Sequence, residues 1–343
     1  MAFQRRIRCR HKPICFHPNS WWLTATHTPE KCSRSWPSVD QASTAEDGAE
    51  ALRRMCAHLI PGWNPVQYKV FYQKGVMSTA VRNNVRVSGS GPATLFFAHG
   101  FGCDQNMWRL LAPAYADRYK TVLFDLVGSG SSDLTAFDPS KYSTLQGYAD
   151  DLVEIVEEFS DGPAILVGHS VSAMVGILAD LAAPGKFAAH VMVGPSPCYI
   201  NDGDYIGGFS REDIESLLDT LESNYLGWSS TMAPAIMGNP ERPELAEELS
   251  NSFCRTDPEI AKHFARVTFL SDHRAQLQQL TTPSLIVQCD EDMIAPVAVG
   301  EYMHRMLPNS TLKIIENVGH CPHLSQPSAS ADAIDQFLAE HSL

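Results

Sequence analysis

The sequence predicts an α/β protein with a mostly parallel, doubly wound sheet and a helical insert. Short apolar runs rich in β-branched residues recur along the chain, and they are continuous rather than alternating. Strands buried on both faces have that pattern. Helical stretches separate the runs, and strand alternating with helix is typical of a parallel sheet. One long stretch, residues 195–274, has no convincing strand, which indicates an inserted helical subdomain.

The predicted strands and helices follow one another from residue 77 onwards. The strands are Arg86–Ser88, Thr94–Ala98, 121–125, 164–168, 190–194, 284–289 and 312–316. The helices of the core are Leu145–Phe159, Val171–Leu181, Val297–Met306 and Ala329–His341. In the first of these helices, apolar residues recur at three- and four-residue spacing and acidic residues take the opposite face, as in an amphipathic helix that packs on a sheet.

The insert divides the chain into a core and a lid. Its four predicted helices are Arg211–Asn224, Gly227–Met237, Pro243–Cys254 and Pro258–Leu270. Ligands of open α/β sheets bind at the carboxyl edge, so an insert between two strands is expected to cover that edge. The predicted organisation is an N-terminal extension at 1–76, expected to be poorly ordered, a core at 77–194 and 275–343, and a lid at 195–274.

Charge and cysteine usage exclude several classes of function. The chain has a net charge of −13, and residues 77–343 hold 15 basic against 34 acidic side chains. A body this acidic argues against nucleic-acid binding, which needs a basic surface. No apolar run has the length of a membrane span. Nine cysteines, an odd count, indicate free thiols in a reducing compartment.

The N-terminal segment differs in character from the rest. It is rich in arginine and has no acidic residue before Glu30, which is typical of a mitochondrial transit peptide. The default expectation is a cytoplasmic protein, with a mitochondrial location as the alternative. A short helix is predicted at Ser43–Ile60. Cysteines and histidines between Cys9 and Cys32 contain no C-x-x-C pair, so no metal site is expected.

The segment GHSVSAM, which begins at Gly168, resembles a nucleophile elbow. It follows a predicted strand and nearly matches G-x-S-x-G, the turn that exposes a nucleophilic serine, here Ser170. The last glycine of the motif is replaced by Ser172. Serine is the next smallest polar choice, and small residues follow it, so the next helix can still pack closely on the sheet.

A glycine-rich loop after an earlier strand supplies the expected oxyanion donors. The residues are His99-Gly100-Phe101-Gly102, directly after the strand Thr94–Ala98. In hydrolases with a nucleophile elbow, such a loop donates one backbone N–H and the residue after the nucleophile donates the second. The donors predicted here are the amides of Phe101 and Val171.

Two later loops supply an acid and a base in the order that such hydrolases use. In the sequence DEDMIAP, Asp292 lies four residues before the proline that opens the next helix, and Asp290 is the alternative. In GHCPHLSQP, His320 follows a glycine after the last strand, and His323 is the alternative. Ser170, Asp292 and His320 then follow the Ser…Asp…His order.

Longer strings of residues carry a family resemblance over residues 77–343. They are GFGCDQNMW, LFDLVGSGSSD, LQGYADDL, GHSVSAM, MVGPSPCYIND, NYLGW, FCRTDP, FLSDHR and GHCPHLSQP. With them the chain resembles a branch of the α/β-hydrolases that includes the bacterial stress-signalling hydrolase RsbQ and the plant strigolactone and karrikin receptors. The resemblance implies an α/β-hydrolase fold, Ser170 as nucleophile, His320 as base, Asp292 as its orienting acid, and no metal or cofactor. It also implies that His99 and Phe101 contact substrate.

The resemblance implies a serine hydrolase that cleaves a small apolar ester or lactone. In the plant receptors the substrate is a butenolide whose ring can be transferred to the catalytic histidine, so His320 is a candidate for covalent modification. The alternative is a receptor with slow turnover that signals through its lid to a partner protein. A carbon–carbon bond hydrolase or a haloperoxidase remains open as well, because one fold and triad support several chemistries.

Overall fold

The computed structural model describes residues 78–162 and 164–343, together with the backbone of three N-terminal strands. The chain forms two units, Met1–Val76 and Met77–Leu343. In the first unit, strands β1 (Arg5–Cys9), β2 (Lys12–His17) and β3 (Ser20–Thr24) form an antiparallel sheet. The helix expected at Ser43–Ile60 lies outside the described residues. The poorly ordered extension and the compartment stay predictions.

The second unit contains a seven-stranded, mostly parallel sheet, as predicted. Its strands are β4 (Arg86–Ser88), β5 (Thr94–Ala98), β6 (Lys120–Phe124), β7 (Ala164–His169), β8 (Phe187–Val193), β9 (Ser284–Glu291) and β10 (Ser310–Val318). Their order is β10-β9-β8-β7-β5-β6-β4. Each pair is parallel except β4 and β6, which are antiparallel at one edge.

Helices cover both faces of this sheet and form the insert. They are α1 (Thr79–Arg82), α2 (Leu145–Phe159), α3 (Val171–Ala182), α4 (Arg211–Ser223), α5 (Tyr225–Met237), α6 (Pro243–Arg255), α7 (Pro258–Phe269), α8 (Arg274–Leu277), α9 (Val297–Met306), α10 (Pro322–Ser325) and α11 (Pro327–Glu340). Short 3-10 helices lie at Gln105–Trp108, Ala112–Tyr115 and Leu134–Ala136. The four helices of the insert end within two residues of their predicted bounds, whereas α1, α8 and α10 were not predicted.

The core consists of one apolar layer on each face of the sheet. Along β5, Phe96 joins the cluster that contains α2, α3 and α9, whereas Leu95 and Phe97 join the cluster that contains α11. Successive side chains of a strand point to opposite faces, so both faces of this strand are buried. The continuous apolar runs of the sequence have this cause.

Helices α4–α7, called the lid helices below, have an apolar cluster of their own. Trp228, Leu249 and Phe253 are buried in it. The same cluster includes Cys103 and Cys321 from loops at the carboxyl edge of the sheet. The lid helices are therefore packed onto the loops that carry the candidate site. None of the helices in the described part of the chain is long and apolar enough to cross a membrane.

Candidate active site

Ser170 lies in a sharp turn between β7 and α3. Its backbone has φ 55° and ψ −124°, a conformation that L-residues rarely adopt. Its N–H donates to the carbonyl of Val193, the last residue of β8, at 2.8 Å, which continues the pairing with β8 one residue beyond the end of β7. A Cβ at Gly168 would approach the carbonyl oxygen of Ser172 to 2.9 Å, so this turn needs glycine at position 168.

Ser172, the departure from the G-x-S-x-G pattern, is accommodated and has a bonding partner. The residue is fully buried, and its hydroxyl donates to the backbone carbonyl of His99. This contact ties the first turn of α3 to the loop after β5. Where the motif has glycine, this chain thus has a serine whose hydrogen bond joins two segments of the site.

The structure brings Ser170, His320 and Asp292 into one hydrogen-bonded chain. The Ser170 hydroxyl lies 2.9 Å from Nε2 of His320, and Nδ1 of His320 lies 2.7 Å from Oδ2 of Asp292. Because a carboxylate only accepts, Nδ1 carries the proton and Nε2 is left to accept from the serine. All three residues are buried. Oδ1 of Asp292 accepts from the amides of Ile294 and Ala295, which orients the carboxylate.

The alternative acid and base lie elsewhere. Asp290 is exposed, and its carboxylate accepts from the amide of Asn317 at 2.7 Å. It therefore holds the strand that leads to His320 and does not contact the histidine ring. His323 is fully buried behind the triad, with its ring against Trp108 at a centroid separation of 4.5 Å.

The amides of Phe101 and Val171 are both available at this site. Val171 is the first residue of α3, where a backbone N–H has no partner within the helix. Within residues 78–162 and 164–343, neither amide donates to a protein acceptor. The Phe101 ring lies in the cavity beside Ser170, and its centroid is 5.7–6.1 Å from those of four lid aromatics: Trp228, Phe253, Phe264 and Phe269.

The structure does not place His99 in the cavity, where the resemblance implied a substrate contact. The residue is fully buried, and its Nε2 accepts from the amide of Leu126 at 3.0 Å. Its Nδ1–H is left to donate to the carbonyl of Gly100 at 2.9 Å. Both ring nitrogens are thus occupied by backbone groups. We therefore correct its role from substrate contact to support of the loop that carries Phe101.

A small cavity adjoins Ser170 under the lid helices. Its volume is about 30 Å³. Its lining is mostly apolar, and no lysine or arginine is among the described residues that line it. A larger cleft of about 440 Å³ lies between α5 and α6, but its lining from Ser230 to Asn251 holds neither a histidine nor a cysteine. Of these two cavities, the small one contains Ser170 and His320.

Two side chains with hydroxyl groups line the cavity and were not predicted from the sequence. Burial raises the pKa of Tyr199 to about 12, and the neighbouring Ser170 side chain partly opposes this rise. Thr268 of α7 is also buried, and its hydroxyl has no hydrogen-bond partner among the described residues. Both residues line the cavity. No local pattern identifies them, because their positions depend on how the region after β8 folds back over the sheet.

The buried His323 makes stability depend on pH. Burial, and then the neighbouring His320 and Arg109, lower the pKa of His323 to about 3 from an ordinary value of 6.5. His169, whose ring also faces it, has its pKa lowered as well, mainly by burial. At a pH between 3 and 6.5, His323 binds a proton in the unfolded chain but not in the folded chain. Folding stability is therefore lost as the pH falls from 6.5 towards 3.

We predict that His323→Gln flattens this dependence. The free energy of unfolding of the wild type should fall by up to about 1.4 kcal/mol per pH unit for each such histidine below pH 6.5. The variant should lose one such contribution, whatever its stability at pH 7. Urea unfolding at pH 7, 6 and 5 measures the slope, with His304→Gln at an exposed histidine as the control. Equal slopes for wild type and His323→Gln would contradict the assignment.

Comparisons with known proteins agree with this architecture. A model of the alpha/beta hydrolase family matches residues 95–333. The chain is similar to karrikin insensitive 2 receptor CA of Petunia hybrida, with 42% identity over 260 residues that cover 76% of this chain and 95% of the receptor. It is 38% identical to strigolactone esterase D14 of Arabidopsis thaliana over 256 residues, which cover 74% of this chain and 96% of the esterase.

A solved structure shows the same likeness. A hydrolase from Oleispira antarctica is 41% identical and superposes with a TM-score of 0.74, covering 76% of this chain and 96% of the other. The resemblance to α/β-hydrolases and to the plant receptors is thereby confirmed. With its family match, its parallel sheet and its elbow after β7, the chain belongs to the alpha/beta hydrolase family.

Proposed function

We propose that this protein hydrolyses a small apolar ester or lactone through Ser170, His320 and Asp292. The observation that carries the proposal is the continuous hydrogen-bonded chain from Ser170 Oγ to the Asp292 carboxylate. His320 takes the hydroxyl proton as Ser170 attacks the substrate carbonyl, and Asp292 orients and stabilises the resulting imidazolium. The amides of Phe101 and Val171 receive the negative oxygen. Water then releases the acyl group from the serine.

The cavity lining supports a neutral, largely apolar substrate. Phe101, Phe253 and Phe269 face it, and its described lining holds no lysine or arginine that would pair with a substrate carboxylate. Tyr199 and Thr268 add two hydroxyls that can hydrogen-bond to ligand oxygens. A butenolide-like lactone matches this lining, because it has a scissile carbonyl, further oxygen atoms that accept hydrogen bonds, and an apolar body. The relatives named as strigolactone esterase and karrikin insensitive 2 receptor support the same substrate class.

Substrate access requires the lid helices to move. Ligand pockets have volumes of about 300–1,000 Å³, and about 30 Å³ is one water molecule's share of liquid water. The cavity at Ser170 has a volume of about 30 Å³, which is far too small for a ligand of that kind. We therefore infer that binding begins with separation of lid aromatics such as Phe253 and Trp228 from Phe101.

Ser170→Ala and Asp292→Asn should both abolish most ester turnover. Loss of the nucleophile or of the orienting acid lowers kcat by about 10³-fold or more in such triads. The matched control is Glu291→Gln, which changes an exposed carboxylate one residue away and should keep wild-type turnover. Turnover of an aryl acetate and of a butenolide enol ether measures the effect. Intact mass recorded over time should also show a transient butenolide adduct on His320. Full turnover by Ser170→Ala would refute the proposal.

Thr268→Val should weaken binding of a lactone without slowing its chemistry. The substitution keeps the shape of the side chain and removes a hydroxyl worth about 0.5–1.5 kcal/mol when it is hydrogen-bonded. We expect KM for the butenolide to rise about three- to tenfold at unchanged kcat. Thr220→Val, at an exposed threonine of α4, is the control. Equal KM values for wild type and Thr268→Val would show that this hydroxyl does not contact the ligand.

A receptor role is the second candidate, and one set of contacts favours it. The amide of His320 donates to the carbonyl of Ile236 in α5 at 2.8 Å. The side chain of Asn239, just after α5, donates to the carbonyls of Met237 and Val318. The loop that carries His320 is thus bonded directly to a lid helix. A covalent change at His320 or Ser170 can therefore alter the lid, where a signalling partner would bind.

Sulfonylation of Ser170 should loosen the end of α5. A sulfonyl fluoride places a bulky group on the serine, and the 30 Å³ cavity has no room for it without displacement of the lid helices. We expect faster amide hydrogen exchange at Ile236–Gly238 and at the amide of His320 in the modified protein. Ser170→Ala treated with the same reagent is the control. Unchanged exchange at α5 after complete modification would remove the support for lid signalling.

A further inference from the structure

Three side chains with metal-binding atoms converge behind the triad. They are His169, Cys321 and His323, and one nitrogen or sulfur atom from each lies within 4.8 Å of the others. Each residue is at most 2% exposed. The centroids of the two imidazole rings are 4.5 Å apart. The hydrolytic mechanism proposed above uses none of these three side chains.

Polar atoms in this cluster are left without partners. Both ring nitrogens of His323 and Nδ1 of His169 have no hydrogen-bond partner in the described part of the chain. A buried polar group left in this state destabilises the folded protein. Nε2 of His169 lies 3.0 Å from the carbonyl of His320. Histidines that bind metals commonly have one nitrogen engaged by a backbone carbonyl in this way.

We propose that His169, Cys321 and His323 bind a zinc ion and that the bound ion inhibits the enzyme. Imidazole and thiolate together favour soft or borderline ions such as Zn²⁺ over Mg²⁺ or Ca²⁺. Zinc bonds nitrogen and sulfur at about 2.0–2.3 Å, which places tetrahedral ligands about 3.3–3.8 Å apart. The three side chains therefore close by about 1 Å around the ion, and the fourth position is left for water.

The binding step is balanced by release of one proton. The Cys321 thiol exchanges its proton for the bond from sulfur to zinc, and the two neutral imidazoles each contribute a lone pair. No atom changes its oxidation state. The proton leaves with solvent through the catalytic cavity. This cavity is also the route of the ion, because His169 and Cys321 both line it.

Inhibition follows from the position of the cluster, and this part rests on the proposed function. Cys321 directly follows His320 in the chain, and the ring of His169 lies 4.9 Å from that of His320. Closing the three ligands around an ion pulls the His320 segment towards the cluster and away from Ser170. The ion and its water also take space in a cavity of about 30 Å³. Substrate and zinc therefore compete.

Cobalt replaces zinc as a spectroscopic probe of binding that needs no turnover. Titration of the full-length protein with Co²⁺ should produce a charge-transfer absorption from sulfur to cobalt. Cys321→Ser and His323→Gln should each lose one equivalent of bound cobalt, and Cys321→Ser should lose the band. Cys254→Ser, at an exposed cysteine of α6, is the matched control and should retain both. The difference in bound cobalt between wild type and each variant measures binding at the cluster alone, because the cysteines among residues 1–77 are the same in both proteins.

Zinc inhibition of aryl acetate turnover is the second readout. The zinc concentration for half inhibition should rise about tenfold or more in both variants, and a chelator should restore wild-type activity. Thermal unfolding without metal establishes that each variant is folded, and Cys321→Ala substitutes if the serine variant is not. Equal cobalt stoichiometry in wild type and both variants would overturn the site. Cobalt binding without any ester turnover would retain the site and reject only the proposed hydrolase.

Discussion

The strained backbone of Ser170 is the constraint on which the rest of the site depends. A non-glycine residue at φ 55° and ψ −124° costs about 1–3 kcal/mol and persists only where its surroundings determine it. Here its amide is bonded to Val193 of β8, and the following helix is tied through Ser172 to the carbonyl of His99. The turn thereby directs the serine hydroxyl towards His320, and the Val171 amide beside it has no acceptor among the residues that the structure describes.

The remaining groups are brought to that serine by backbone ties between separate segments. The amide of Gly319 donates to the carbonyl of Glu291, and that of Asn317 to the carboxylate of Asp290. These bonds hold the end of β10 against the loop that carries Asp292. Asp290 resembles a catalytic acid in sequence because it lies two residues before Asp292, yet it belongs to the end of β9, and its carboxylate stabilises the path of the chain to His320.

Most of the core was predictable because its determinants are local. The strands on both sides of Ser170 are continuous apolar runs, and both faces of the sheet are covered, so the runs could be found without knowledge of the neighbours. The triad was predictable because each member directly follows a strand. Parallel strands bring their carboxyl ends to one edge, so chain order alone assembled Ser170, Asp292 and His320.

The contacts that depend on packing between distant segments were not predictable. His99 directly precedes the loop that carries Phe101. Its ring nevertheless points away from the cavity, because its Nε2 accepts a hydrogen bond from the amide of Leu126. Thr268 is one of several polar residues on an amphipathic helix, and its place in the cavity depends on how α7 packs with the other lid helices over Ser170. His169 and His323 are 154 positions apart in the numbering and come together only when α10 packs beside β7.

The same contacts that organise the base also restrain the lid. The carbonyl of Ile236 receives the amide of His320, so α5 helps to fix the imidazole at 2.9 Å from Ser170. The lid movement proposed above for ligand entry would strain this bond, because the bond joins α5 to the segment that carries His320. The segment that carries His320 is thus joined to the end of α5 twice, by this backbone bond and by the bond from the Asn239 side chain to the carbonyl of Val318. Any displacement of α5 acts on the position of His320 through these two bonds.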